Sequence, residues 1–324
     1  MEISRREFLK LAAAAAAALG LSGCGGDRLE RILTSKTSPP VLWLNGAGCS
    51  GCSMSLLNAV NPTIDHLLQE DVKLEYHSSL MAASGDLAVA SARSVSSGKD
   101  FILVVEGAVP TANEGKFCYV WEEGGRAVTM MEAVRSLAQD AKQVVAVGTC
   151  GAFGGMAAAN PQTSAKGVGA FLNRSVVNVP GCPAHPDWIV GTLSQLLVGD
   201  TPKLDGYSRP IDYYPREAIH QRCPREDRHQ DGAFGQGDGC LERLGCKGHN
   251  AHADCERRLW NNKQNWCIGA NGLCIACTEP SFPAFPLHGT GRGSRGEREG
   301  EGERRRDNGA PGAERDREGE GDDD

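Results

Sequence analysis

Aromatic residues make up only 6% of this 324-residue chain, while glycine reaches 41. So few large rings leave an interior partly filled by something other than side chains. No apolar run is long enough to cross a bilayer, which takes about 20 residues; the stretch from Leu11 to Leu21 falls short. Lys and Arg form no continuous basic face with interleaved aromatics, and the net charge is a modest -7. Nucleic acid is thereby excluded as a partner. There is no Ser-His-Asp set, no phosphate loop and no nucleotide fingerprint in a fitting context, since Gly46-Ala47-Gly48 is taken up by a cysteine loop. The chain has no bond-breaking machinery of its own.

What it does have is thirteen cysteines, a density that implies disulfides, metal ligands or redox chemistry. Ser4-Arg5-Arg6-Glu7-Phe8-Leu9-Lys10, followed by the Leu11 to Leu21 run, resembles a twin-arginine export signal, an address read by a translocon for folded proteins. Cysteines that leave the cytoplasm inside a finished protein are already occupied, which favours metal clusters over disulfides. Leu21-Ser22-Gly23-Cys24 resembles a lipobox, which implies a lipid on Cys24 and attachment to a membrane surface.

The length suits one large core plus a smaller module. Residues 1–24 read as the signal and 25–40 as a polar linker. Over 41–202 the runs Val41 to Leu44, Leu74 to His77, Phe101 to Val105, Val144 to Val147 and Val176 to Val179 read as strands, separated by helical spacing such as Val128 to Ala138. This predicts a doubly wound, flavodoxin-like parallel α/β sheet, with Pro186 to Leu197 as its last helix. Over 203–288 periodicity fades and more than half of the cysteines accumulate. Such an irregular, cysteine-rich domain would fold around metal instead of around a core of its own. Residues 289–324 lack large apolar side chains and read as a disordered tail.

In open α/β sheets, ligands bind outside the carboxyl ends of the strands. Three apolar runs lead there into cysteine: Gly48-Cys49-Ser50-Gly51-Cys52, Gly148-Thr149-Cys150 and Pro180-Gly181-Cys182-Pro183. Cys49-x-x-Cys52 alone suits a redox dithiol or half a zinc site. With Cys150 and Cys182 converging on the same spot, four thiolates flanked by glycines suit a 4Fe-4S cluster. The strings G-C-S-G-C-S, G-T-C-G-A-F-G-G and P-G-C-P-A-H-P-D-W resemble the proximal-cluster motifs of nickel-iron hydrogenase small subunits, and the resemblance runs from about Val41 to Phe285. It implies that Cys49, Cys52, Cys150 and Cys182 bind the cluster nearest the nickel. Gly51 and Gly154-Gly155 stand where oxygen-tolerant membrane hydrogenases carry two extra cysteines, which implies an ordinary four-cysteine cluster.

The same resemblance assigns His220, Cys223, Cys240 and Cys246, in the context His220-x-x-Cys223 and Gly245-Cys246-Lys247-Gly248, to a distal 4Fe-4S cluster. It assigns Cys255, Cys267, Cys274 and Cys277 to the middle cluster. Much of the family has proline where Cys267 stands and holds a 3Fe-4S cluster there. The Asn265-Trp266-Cys267 string resembles the nickel-iron-selenium subclass and implies a middle 4Fe-4S cluster, reverting to 3Fe-4S if Cys267 is not a ligand. Cys118 is left over as a small buried hydrophobe.

The function implied is electron transfer through three clusters, between a large subunit that carries the nickel site and an external carrier such as a c-type cytochrome, in the periplasm. A relative of quinone-reductase iron-sulfur subunits, and an exported zinc- or disulfide-bound binding protein, are the alternatives. Glu106 reads as a capping or hydrogen-bonding group, with proton movement near the subunit interface as the other reading. His249, in place of a family proline, and the Gly- and Arg-rich end, unlike the family's short tail or anchor helix, are departures.

Overall fold

The computed structural model describes residues 39–225, 231–236 and 238–283. The twin-arginine segment, Cys24 with its lipobox, nearly all of the linker and the tail lie outside the described residues. Seven strands follow in chain order: β1 (Val41–Asn45), β2 (Leu74–His77), β3 (Ile102–Glu106), β4 (Tyr119–Glu123), β5 (Arg126–Thr129), β6 (Gln143–Val147) and β7 (Val177–Val179). Five of them form one parallel sheet in the order β2-β1-β3-β6-β7. This is the flavodoxin-like order, whose direction reverses between β1 and β3 and opens a crevice at the carboxyl ends there. The register sets Asn45, Glu106, Val147 and Val179 side by side along that edge.

Both faces of the sheet are covered, so the strands read as unbroken apolar runs instead of alternating ones. Val41, Trp43, Ile102, Val104, Val145, Val147, Val177 and Val179 face one core; Leu42, Leu44, Leu103, Val105, Val144 and Ala146 face the other. Helices α2 (Asp86–Ser97) and α3 (Met130–Asp140) cover the second face through Ala88, Ala92, Ala133, Val134 and Leu137. The first face receives α1 (Gly51–Leu56) and α5 (Pro186–Leu197), while α4 (Gly148–Phe153) follows β6 at the edge.

The helical pattern from Val128 begins two residues later than its spacing suggests. Val128 and Thr129 complete β5, which pairs with β4 across Gly124 and Gly125, at φ 59° and 79°. Left-handed backbone at both central residues is what a tight hairpin turn needs. Thr129 then caps α3, its hydroxyl accepting from the Glu132 N–H at 3.2 Å. Helix α5 starts on Pro186, with His185 Nδ1 accepting from the Asp187 N–H at 3.1 Å.

Beyond residue 203 regular structure reduces to single turns at Ile219–Arg222, Glu242–Leu244, Gly248–Asn250 and Cys255–Arg258. The apolar residues of this half build no separate core. Tyr213, Tyr214, Leu241, Ala251, Ala253, Trp266, Ile268 and Ala276 join the first face of the sheet. Polar bonds reinforce the seam: Trp188 Nε1 donates to Asp254 Oδ1 at 2.7 Å, and Tyr214 Oη donates to the Pro180 carbonyl at 2.7 Å. Arg209, almost fully buried, pairs with Asp205 at 2.8 Å and with Glu279 at 2.9 Å. No described helix is long and apolar enough to cross a membrane.

Candidate metal centres

The row Asn45, Glu106, Val147, Val179 delivers the chain into three cysteine-bearing loops. After β1, Ser50 takes a left-handed φ of 57° and lets the chain enter α1, which places Cys49 outside and Cys52 buried in the first turn. After β6, Gly148 at φ 76° turns the backbone into α4 and carries Cys150. After β7, Gly181 and Cys182 close the edge. Burial first, and the Glu106 carboxylate second, push the Cys52 thiol well above its ordinary range, and the Cys150 and Cys182 sulfurs add to the effect. Cys49 and Cys150 likewise bear on Cys182. These four sulfurs therefore share one site.

Glycine leaves the space beside them. A Cβ on Gly148 would stand 2.5 Å from Cys52 Sγ, one on Gly155 2.8 Å from Cys150 Sγ, and one on Gly51 3.0 Å from Cys49 Sγ. Glu106, buried at the end of β3, holds the backbone of this site. Its oxygens accept from the Cys52 N–H at 2.9 Å, the Ser53 N–H at 3.2 Å, Trp43 Nε1 at 3.1 Å, Asn45 Nδ2 at 3.0 Å and the Ser53 hydroxyl. That is the capping role, made from a strand instead of from the helix's own flank. Behind it, His77 Nδ1 accepts from the Ser79 N–H, so its Nε2 carries the proton and donates to Ser53 Oγ at 3.0 Å.

In the irregular half, His220 lies within the Ile219–Arg222 turn and Cys223 directly follows it, Cys240 pairs with Asp231 across an isolated bridge, and Cys246 follows the Glu242–Leu244 turn. Cys240 and Cys246 both bear on the Cys223 thiol, and Gly248 packs between Cys246 Sγ and the His220 backbone. The His249 ring lies on the His220 ring with centroids 3.5 Å apart, and its Nε2 reaches Glu242 at 3.1 Å. Cys255, Cys267, Cys274 and Cys277 form the third group. Burial pushes the Cys255 thiol far up and Cys274 up to about 12, with the Cys267 and Cys277 sulfurs contributing to both. Arg225, buried, donates to the Gly239 carbonyl at 3.3 Å and to Asn271 Oδ1 at 2.6 Å, tying the Cys240 loop to the Cys274 loop.

The three groups touch end to end. The Thr149 hydroxyl, next to Cys150, donates to the Cys277 carbonyl, and the Cys182 sulfur bears on the Cys277 thiol. At the far end, the Lys247 N–H donates to the Cys274 carbonyl at 2.6 Å, and the Cys246 sulfur bears on Cys274. All the described cysteines are free thiols. Buried thiols raised this far stay protonated unless a cation meets them, as ligation by iron does. Among the described residues, no three His, Cys, Asp or Glu side chains close tightly enough to hold a single metal ion. The donors of a multi-iron cluster stand wider than those around one ion. The donor set, the glycine gaps beside the sulfurs and the burial together fit iron-sulfur clusters.

Cys118, only half-buried against the second core, joins no group. Thr149, His77, Ser53, Arg209 and Arg225 carried no signal in the sequence. Only Thr149, inside the G-T-C-G string, and Ser53, the last residue of the G-C-S-G-C-S string, lay within a motif.

Residues 49–196 match the model of the NADH ubiquinone oxidoreductase 20 Kd subunit, residues 215–287 that of the C-terminal part of the NiFe/NiFeSe hydrogenase small subunit, and residues 2–22 that of the twin-arginine translocation signal. The periplasmic NiFeSe hydrogenase small subunit of Desulfomicrobium baculatum is 42% identical over 307 residues, covering 87% of this chain and 97% of the relative. The periplasmic NiFe hydrogenase small subunit of Solidesulfovibrio fructosivorans is 36% identical over 290 residues, covering 86% and 90%. The crystal structure of a reduced, active form of the Ni-Fe-Se hydrogenase from Desulfomicrobium baculatum aligns with a TM-score of 0.72 at 43% identity, over 76% of this chain and 97% of that one.

Proposed function

Because this chain belongs to the family of nickel-iron hydrogenase small subunits, we propose that its three thiol groups hold three iron-sulfur clusters in line, all of the 4Fe-4S type. The coarser role follows from membership. The chain is the iron-sulfur, electron-transferring subunit of an oxidoreductase, exported to the periplasm and working beside a large subunit that carries the catalytic nickel site. The quinone-reductase reading covers only the α/β half, and the match over residues 215–287 favours the hydrogenase.

In this reading Cys49, Cys52, Cys150 and Cys182 hold the cluster nearest the nickel, Cys255, Cys267, Cys274 and Cys277 the middle one, and His220, Cys223, Cys240 and Cys246 the distal one. Bound clusters supply one-electron carriers between the large subunit and an external carrier such as a c-type cytochrome. The protein's own residues shape and anchor those sites. Gly148, Gly155 and Gly51 leave the space, Glu106 fixes the Cys52 turn, and Arg225 holds two loops together. The partly exposed His220 presents the distal site to the outside. Cys24, lipidated, would hold the protein to a membrane surface; intact mass of the mature chain tests this.

The observation that supports the linear arrangement best is the contact of one group with the next, Thr149 with Cys277 and Lys247 with Cys274. The test is iron and acid-labile sulfide per heterodimer, with EPR of oxidised and reduced forms. About twelve iron without a strong 3Fe-4S signal is expected, and Cys267→Pro should lower it to about eleven with that signal appearing. About eleven iron in the native protein would remove Cys267 from the ligand set. Little iron, with zinc or disulfides in its place, would overturn the reading altogether.

A further inference from the structure

One buried hydroxyl touches three ligand-bearing segments. Thr149, 1% exposed, directly precedes Cys150. Its Oγ1 accepts from the Gly181 N–H at 3.0 Å, beside Cys182, and donates to the backbone carbonyl of Cys277. The Thr149 N–H also donates to the Gly181 carbonyl at 3.0 Å. A residue of the first site's loops is thus bonded to a ligand residue of the second, and the same hydroxyl ties it to the Cys182 loop as well.

We propose that the Thr149 hydroxyl is a positioning group that holds the junction between the first and middle sites closed, so that an electron crosses through the hydrogen bond this hydroxyl donates to the Cys277 carbonyl. The inference rests on the cluster assignment above. One electron leaves one site and enters the other; no proton moves and no covalent bond forms or breaks. The route from Cys150 Sγ runs along its own backbone into Thr149, through the hydroxyl to the Cys277 carbonyl and on to the Cys277 side chain, almost wholly along covalent bonds. Tunnelling falls steeply with each added gap, so opening this one hydrogen bond replaces a bonded path by a jump through space. Without the hydroxyl, the Gly181 N–H and the Cys277 carbonyl lose a buried partner, and each draws the two segments apart in search of another.

The test compares Thr149→Val, which keeps the shape and removes the hydroxyl, with Thr149→Ser, which restores it, in the assembled heterodimer. Three quantities are read: iron content, the ratio of H2-driven viologen reduction to D2/water isotope exchange, and the rate at which the middle-site EPR signal forms after mixing with H2. Exchange needs no net electron removal, so the ratio isolates the relay from the nickel chemistry. Thr149→Val should keep its iron, lower the ratio several-fold and slow the middle-site signal, and Thr149→Ser should recover both. If Thr149→Val fails to load iron, Thr149→Ala removes the same hydroxyl without placing a branched methyl against the carbonyl, and the same readings apply. A fully loaded Val or Ala variant with native ratio and rate, or a loaded Ser variant that recovers neither, overturns the proposal. A native heterodimer without iron overturns the cluster assignment and this inference with it.

Discussion

Replacing Gly148 with alanine is the sharpest test of how the first site is built. The residue sits at φ +76°, and an added Cβ would lie 2.5 Å from Cys52 Sγ. Left-handed backbone costs an L-residue about 1–2 kcal/mol, and forcing a methyl into packed surroundings costs about 1–3 kcal/mol. The sum, about 2–5 kcal/mol, is a large part of a stability that runs to about 5–15 kcal/mol. Relief by rotating Cys52 is not neutral, because it swings one sulfur away from Cys150 and Cys182. Gly199→Ala is the control: φ is +77° but nothing lies within 4 Å of its Cβ, so only the backbone cost of about 1–2 kcal/mol applies. Iron content and melting temperature of both variants, measured on the heterodimer, distinguish the effects. Gly148→Ala should lose about four of about twelve iron and melt below Gly199→Ala. Full iron and equal melting in the two variants would refute the argument that this glycine makes room for the site.

Other consequences are open to measurement. His77 is fully buried, and burial lowers its imidazole to about 4. Its folded value lies below an unfolded value near 6.5, so its contribution is complete above about pH 6.5 and lost as pH falls toward 4, by at most about 3 kcal/mol. Denaturant midpoints of native and His77→Gln protein should therefore converge between pH 7 and pH 4, and parallel pH profiles would contradict the shift. Arg209→Met leaves Glu279 buried without its cation and should cost about 3–5 kcal/mol in denaturant unfolding; adding Glu279→Gln should recover part of it, and full additivity of the two changes would argue against a coupled pair. Cys118→Ala should leave iron content unchanged, whereas lost iron would give that thiol a ligand role.

Legibility in the sequence followed the physics of each half. The five sheet strands and α5 were readable because a parallel sheet buried on both faces leaves continuous apolar runs, and Pro186 marks a helix start. The β4-β5 hairpin escaped because Val128 and Thr129 also fit the apolar spacing of α3, although Gly124-Gly125 is a turn signal. Cysteine positions were legible from spacing and motif, but the groups around them were not. Glu106 read as a capping group without a partner and reaches Cys52 on α1 from the end of β3, Thr149 reaches Cys277 from the other half of the chain, and Arg209 finds Glu279 near the end of the described residues. Such pairs leave no local period. The stretch beyond residue 203 has almost none, because its order comes from a borrowed core and from ligation.

The shared first-face core also governs when folding can finish. Val41 and Trp43, at the start of the described chain, pack in one cluster with Ala253, Trp266 and Ala276 near its end. The earliest strand to leave the ribosome is thus among the last to acquire its permanent neighbours, and contacts this distant in sequence form slowly. Until the cysteine-rich half has been synthesised and closed over its sulfurs, the sheet shows a bare apolar face that a threading translocon would catch half-made. An export route reserved for finished proteins matches that timetable, and places assembly wholly before departure from the cytoplasm.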